Sequence, residues 1–341
     1  MKILVGLSGG VDSTYTAYKL KQMGHEVEGL ALIMHGYTDV EGAKRTAEIL
    51  GIPFHTLDCR DLFNKYVVSD FISEYSSGHT PNRCTVCNRY VKIAELCRYA
   101  KEIGFDKAAT GHYAKIFFDE RKQRYCIQKA ADEKKDQSYM LWYLTQEQLK
   151  SLYFPLCDMT KDEIRQQVAI TDFAYLANAK ESQEICFIPD NDYAGYIEKT
   201  KGIFPEGNFV DAQGKPIGRH KGIIHYTIGQ RKGLGIALGA PAYITAIDPI
   251  KNTVTVEKMS EVKGESLVAT SLNAQLLDCK ENEEYELDIK IRYAAKPMKA
   301  RVTICQGKAT AYFETPVRAI TPGQSAVFYD GDKIAFGGVI V

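Results

Sequence analysis

Apolar residues near the start of the chain fall into two alternating rhythms. Short continuous runs, "KILVGL" (2–7), "HEVEGLALIM" (25–34) and "IPFHTL" (52–57), read as buried strands. Between them, "DSTYTAYKLKQMG" and "EGAKRTAEILG" carry the spacing of amphipathic helices, each closed by a glycine, Gly24 and Gly51. After a longer helical stretch, "KAATGHY" (107–113) reads as another strand running into a loop. Strand–helix alternation predicts an α/β domain with a parallel sheet covered on both faces, its ligands beyond the carboxyl ends of the strands. From about residue 201 glycine and proline punctuate short β-type runs, among them "AYITAID", "TVTVEKM", "YELDIKIRY", "RVTICQ" and "ATAYFE", and "SAVFYDGDKIAFGGVIV" holds the Asp-Gly hairpin signal at 330–331. The expected organisation is an α/β domain over 1–200 followed by two small β-rich, barrel-like domains over 201–262 and 263–341. The chain has no long internal repeat and no low-complexity segment.

Composition narrows this picture. The 341 residues are 45% hydrophobic and 25% charged, an ordinary globular balance. No apolar run approaches the roughly 20 residues that span a bilayer, and "MKILVGLSGG" has no secretory pattern, so a cytoplasmic protein is expected. Nine cysteines in that compartment are not a disulfide framework. Cys59, Cys97, Cys126, Cys157, Cys279 and Cys305 read as packing groups. The net charge of zero advertises no nucleic acid globally. One local stretch, "GKPIGRHKGIIHYTIGQRKGLG", interleaves Lys215, Arg219, Lys221, Arg231 and Lys232 with Tyr226 and two histidines; a solvated loop face is its commoner meaning.

"GLSGGVDST" (6–14) carries the most chemistry. It joins the first strand to the first helix, where backbone N–H groups and the helix dipole form an anion site. Gly9 and Gly10 allow close approach, Ser8 and Ser13 offer hydroxyls, and Asp12 is a candidate magnesium ligand. The Gly-Lys-Ser/Thr ending of a Walker A loop is missing, and so is the dinucleotide fingerprint. A nucleophile elbow with Ser8 at its tip also fits "GLSGG", but that elbow needs strands and an oxyanion loop upstream, and only five residues precede Gly6. The pattern resembles the PP-loop of the ATP pyrophosphatases, which cleave ATP between the α- and β-phosphates and adenylate an oxygen of the substrate.

A second stretch, "TPNRCTVCNRY" (80–90), spaces Cys84 and Cys87 as zinc knuckles, redox dithiols and sulfur-transfer sites all do. The pair alone does not choose. Together with "ATGHY", "KKDQSYMLW", "SQEICFI", "HYTIGQRKGLGI" and "TPGQSAVFY", in that order, it resembles the bacterial tRNA-specific 2-thiouridylases over nearly the whole chain. The resemblance implies formation of 2-thiouridine at the wobble position of tRNA, with ATP and Mg²⁺. It assigns ATP to Gly6, Leu7, Ser8, Gly9, Gly10, Val11, Asp12 and Ser13, flanked by Leu32 and Gly111. Asn82, Arg83 and Cys84 would lie beside the target base, with Arg83 standing where the family pattern has proline. His112, Lys135, Asp136, Gln137, Arg292, Tyr293 and Gln324 would contact tRNA. Cys186 would carry a persulfide and Cys87 would be the nucleophile.

The chemistry asks for such a pair. Uracil O2 is a poor leaving group until adenylated. A persulfide then supplies a nucleophilic sulfur, and a second thiol releases it by exchange. The third thiol at Cys84, with Cys87 and Cys186, leaves open an iron–sulfur cluster instead. Expected partners are tRNA with glutamate, lysine or glutamine anticodons and a sulfur donor from a cysteine-desulfurase relay, with no membrane. The alternative is another PP-loop adenylating ligase acting on a small molecule, which leaves the cysteines and the β-rich half idle. A tRNA-binding module with a vestigial loop is a third reading.

Overall fold

The computed structural model describes residues 1–179, 185–236, 241–258, 264–318 and 320–341. β1 (Lys2–Gly6), β2 (Glu26–Ile33), β3 (Phe54–Asp58) and β4 (Lys107–Ala109) form a wholly parallel sheet with the short strand Leu152–Tyr153. Its order is β3-β2-β1-β4 and then Leu152–Tyr153. The buried runs explain the strands: Ile3, Leu4, Val5, Leu30 and Ala31 are sealed from water on both sheet faces, as parallel strands require. Helices α1 (Val11–Gln22) and α2 (Val40–Leu50) join the first three strands. Gly51 ends α2 in the left-handed conformation, φ 61°, which a Cβ would penalise. The order reverses at β1, so the crevice beyond the ends of β1 and β4 is the topological switch point.

Two longer helices cover 60–76 and 83–102, and each passes through a five-residue π-type segment, Asn64–Val68 and Asn88–Lys92. Helix 83–102 starts at Arg83 and holds Cys84 and Cys87 in its first turns.

The second half is β-structured, as its turn grammar implies. Gly207–Val210, Pro216–His220, Ala242–Asp248 and Thr253–Lys258 make a four-stranded sheet. Six further strands, Gly264–Ala274, Glu284–Lys290, Met298–Cys305, Lys308–Val317, Ser325–Asp330 and Lys333–Ile340, close into a barrel, because the first pairs with the last. The α/β fold with β-rich, barrel-like parts is therefore as expected. One feature was not expected. The hairpin Lys115–Asp119 and Arg124–Gln128 leaves the first part of the chain and adds to the barrel edge at Lys333. Among the described residues, no helix is long and apolar enough to cross a membrane.

Candidate active site at the sheet's switch point

The loop after β1 is built to bring backbone close to an anion. Gly9 has φ 74°, and a Cβ there would sit 2.8 Å from Asp39 Oδ2. Gly10 stands at the N-cap of α1 and has no side chain to cap it, so the first-turn N–H groups rely on other partners. Ser13 Oγ accepts from Ser8 N–H at 3.1 Å and donates to the Gly10 carbonyl at 3.0 Å, tying the loop into a ring. Gly6 and the buried Leu7 and Val11 hold the loop's ends, and Leu32 lies buried near the end of β2. Gly111 follows β4, and a Cβ there would lie 2.8–2.9 Å from the backbone and Cβ of Asp12. The residues fit a polyphosphate: an open helix N-terminus, two hydroxyls, and glycines at the two closest approaches.

Asp12 offers the oxygen donors that Mg²⁺ takes. Both oxygens are engaged by the chain itself: Lys161 Nζ donates to each at 2.7 Å, and Tyr113 OH donates to Oδ1 at 2.7 Å. Lys161 carries no motif signal on its own, and sequence reading missed it.

His112 lies against Phe154, ring centroids 5.6 Å apart, with Nδ1 2.7 Å from Thr110 Oγ1. Burial, reinforced by the Lys92 ammonium, pulls its imidazole down to about 3, so it is neutral at pH 7.

Lys92 acts on the cysteines too. Cys87 is buried, with its thiol 3.9 Å from Met34 Sδ; burial pushes it up to about 11, opposed by Lys92 and reinforced by Cys84 and Cys186. Cys186 exposes surface, yet partial desolvation by its neighbours raises its thiol, again with Cys84 raising and Lys92 lowering it. Cys84, Cys87 and Cys186 are thus brought within electrostatic range of one another. The first residues of "SQEICFI", Ser182 to Glu184, lie outside the described residues. Among the described residues no grouping of three or more His, Cys, Asp or Glu side chains is disposed to hold a metal ion. The cluster reading loses its support: Cys87 points into packing against Met34 while Cys84 and Cys186 face solvent.

Asn82 and Arg83 open the helix over 83–102, and Arg83 makes an ion pair with Asp70. This corner is clamped to the barrel. Gln324 Nε2 donates to the Thr80 carbonyl at 2.6 Å, Thr80 N–H donates to the Pro322 carbonyl at 3.2 Å, and Tyr139, which bonds Asn82, donates to the Ser325 carbonyl at 2.9 Å. Arg292 reaches the Thr321 hydroxyl from the same side and donates to the Ile228 carbonyl at 2.9 Å. Tyr293 is exposed nearby, with the Lys290 ammonium 5.7 Å over its ring. The structure therefore gathers Asn82, Arg83, Arg292, Tyr293 and Gln324 at one seam.

Lys135, Asp136 and Gln137 behave differently. Asp136 is buried and accepts from Ala130 N–H, Ser138 N–H and Ser138 Oγ, while Gln137 Oε1 accepts from Tyr113 N–H at 3.0 Å. Lys135 lies beside them, half-buried, its N–H donating to the Asp132 carbonyl at 3.1 Å. In the basic stretch all five cations are exposed, but Tyr226 is buried against Phe209, 5.1 Å between centroids. No aromatic–cation interleaving reaches the surface there through that ring.

A parallel sheet carrying a Gly-rich anion loop at its switch point, with thiols close by and a barrel joined to the rim, defines a nucleotide-binding α/β domain of the HUP class with β-barrel appendages. The family models agree. Residues 1–190 match the tRNA methyl transferase HUP domain, 196–258 the tRNA methyl transferase PRC-barrel domain and 266–340 the aminomethyltransferase beta-barrel domain. The chain belongs to the tRNA-specific 2-thiouridylase family. It is 44% identical over 357 residues to tRNA-specific 2-thiouridylase MnmA of Acetivibrio thermocellus, spanning 99% of both chains. It is 43% identical to MnmA of Clostridioides difficile, spanning 99% of this chain and 98% of that one, and 46% identical to MnmA 2 of Clostridium botulinum over the same shares.

Proposed function

We propose that the protein is an ATP-dependent tRNA sulfurtransferase that converts the wobble uridine to 2-thiouridine. The observation that carries this reading is that Cys84, Cys87 and Cys186 lie within electrostatic reach of one another, with Cys87 packed on Met34 just beyond the carboxyl end of β2, in a chain whose relatives are named 2-thiouridylases. A small-molecule ligase would have no use for thiols from two distant segments.

The loop over Gly6–Ser13 holds the ATP phosphates, with Leu32 and Gly111 beside the adenine. Uracil O2 attacks the α-phosphorus, pyrophosphate leaves, and O2 becomes a good leaving group. A Cys186 persulfide, loaded by a donor protein of a cysteine-desulfurase relay, attacks C2 and expels AMP. Cys87 attacks Cys186 Sγ, forming the Cys87–Cys186 disulfide and leaving the terminal sulfur on C2; a dithiol reductant restores both thiols. Burial keeps Cys87 protonated at rest, and Lys92 is the cation that favours its thiolate when the step begins. His112, neutral, donates or accepts one hydrogen bond beside the phosphates or base without adding charge. The target base, flipped out of the anticodon stack, meets Asn82, Arg83 and Cys84. Arg292, Tyr293, Gln324 and Lys135 meet the tRNA around it.

The test is 2-thiouridine formation on unmodified glutamate, lysine or glutamine tRNA with ATP, Mg²⁺ and a persulfide donor, read by mercury-gel retardation. Cys87→Ser and Cys186→Ser should abolish the product, and Cys84→Ser should keep it. No product from the wild-type chain with any donor overturns the proposal.

A further inference from the structure

The Lys161–Asp12 pair is the feature of the crevice that the loop motif does not account for. Lys161 opens the helix Lys161–Ala169, and its backbone N–H is fixed by Asp132 Oδ2 at 2.9 Å. Its side chain is 7% exposed, so the stem is buried and only the ammonium enters the loop, 2.7 Å from both Asp12 oxygens and 5.8 Å over the Tyr113 ring. Desolvating two charges to pair them adds little stability compared with apolar packing. The placement matters more: an ammonium on a flexible stem, with three donors, stands at the first turn of α1, where the loop receives an anion.

Resting on the reading that this loop takes ATP, the geometry points to Lys161 as a pyrophosphate ligand that changes partner. In the free protein it neutralises Asp12. With Mg-ATP in the loop its ammonium would donate to the oxygens of the β- and γ-phosphates, and Asp12, released, would be the carboxylate that could hold magnesium.

Charge bookkeeping favours the exchange. Asp12 alone would repel an incoming polyphosphate; the pair presents it with a neutral loop and a cation already in place. During adenylation the uracil O2–phosphorus bond forms, the α–β bridging bond breaks, and its electron pair leaves on the β-phosphate. An ammonium there stabilises the charge as it grows, and Lys161 transfers no proton.

Calorimetric titration of the full chain without tRNA, using Mg-ATP, pyrophosphate and AMP in turn, tests this. Lys161→Met should weaken Mg-ATP and Mg-pyrophosphate by about tenfold to hundredfold, the scale of a charge-assisted hydrogen bond, and leave AMP within about twofold. In EDTA, where magnesium contributes nothing, Asp12→Asn should bind pyrophosphate at least as well as wild type. Adding Lys161→Met to it should again cost about tenfold. Equal pyrophosphate affinity in those two variants would mean that Lys161 serves only to neutralise Asp12, and would overturn the inference. If Lys161→Met loses AMP as well, the loop has collapsed and Lys161→Arg decides. Retained pyrophosphate binding supports the inference, whereas parallel loss of pyrophosphate and AMP overturns it. Failure of the wild type to bind Mg-ATP overturns the ATP reading itself, a different result from a Lys161→Met variant that binds as wild type does.

Discussion

His112 shows how one side chain's surroundings set its chemistry. A histidine after a strand is an ordinary candidate for acid–base work, but here desolvation and Lys92 hold the imidazole near 3, well below its ordinary 6.5. The sign follows directly. The unfolded chain takes up the proton first, so this site's contribution to stability is complete above about pH 6.5 and drains away as pH falls toward 3. His112→Gln should therefore flatten the acid side of the stability profile, measured by urea unfolding between pH 7 and 4. The wild-type imidazole resonance should show no titration down to pH 5. The turn that the glycines, serines and Asp12 form between β1 and α1 was legible, because a glycine-rich joint between an apolar strand and a helix is a local signal. Lys161 and Lys92 were not. Each is one lysine among 43 basic residues, and only the fold brings Lys161 to Asp12 or Lys92 within electrostatic reach of both His112 and Cys87.

At the scale of elements, the close approach of two loops sets the crevice. The loop after β4 passes so near α1 that Gly111 has no room for a side chain, since the nearest atoms are Asp12 backbone and Cβ at 2.8–2.9 Å. Gly111→Ala should push the loop after β4 away from α1. The expected cost is about 1–3 kcal/mol of stability, with weakened nucleotide binding, read by thermal melts with and without Mg-ATP. Gly24→Ala is the contrast. Its φ is 78° but nothing lies within 4 Å of the added Cβ, so it should lower stability by about 1 kcal/mol and leave nucleotide binding alone. The strands and helices flanking these loops were readable from apolar rhythm, because parallel strands buried on both faces have no polar option. The Asp-Gly hairpin was legible too, though the turn itself is Gly331–Asp332, with Asp330 the last residue of its strand. The π-type segments at 64–68 and 88–92 left no trace, since one extra residue in a helical turn changes no composition.

For the whole molecule, the decisive contacts join parts of the chain too distant for local pattern to reveal. Gln275, fully buried at the end of the first barrel strand, donates to the Leu141 and Trp142 carbonyls at 2.9 Å and accepts from Ile127 N–H at 2.9 Å. Asn273 adds bonds to the Trp142 and Leu144 carbonyls at 2.7 and 3.0 Å. Trp142, the chain's single tryptophan, is buried at this junction, with Nε1 donating to Ser325 Oγ at 2.9 Å. Its ring lies directly over Gly337 of the last barrel strand, where an added Cβ would come within 2.5 Å of ring carbons. A ring cannot yield as a flexible chain end does, so Gly337→Ala forces the indole outward and strains the seam that carries Asn82, Arg292 and Gln324. The expected result is a red-shifted tryptophan emission and a loss of about 1–3 kcal/mol, seen together in one denaturant titration. Because the same junction positions the barrel over the helix 83–102, tRNA affinity should fall while Mg-ATP affinity is kept. Nucleotide binding that fell in step with tRNA binding would instead mean that the anion loop itself depends on the barrel. An unchanged emission spectrum with unchanged tRNA binding would mean that the indole seat does not hold the seam in register.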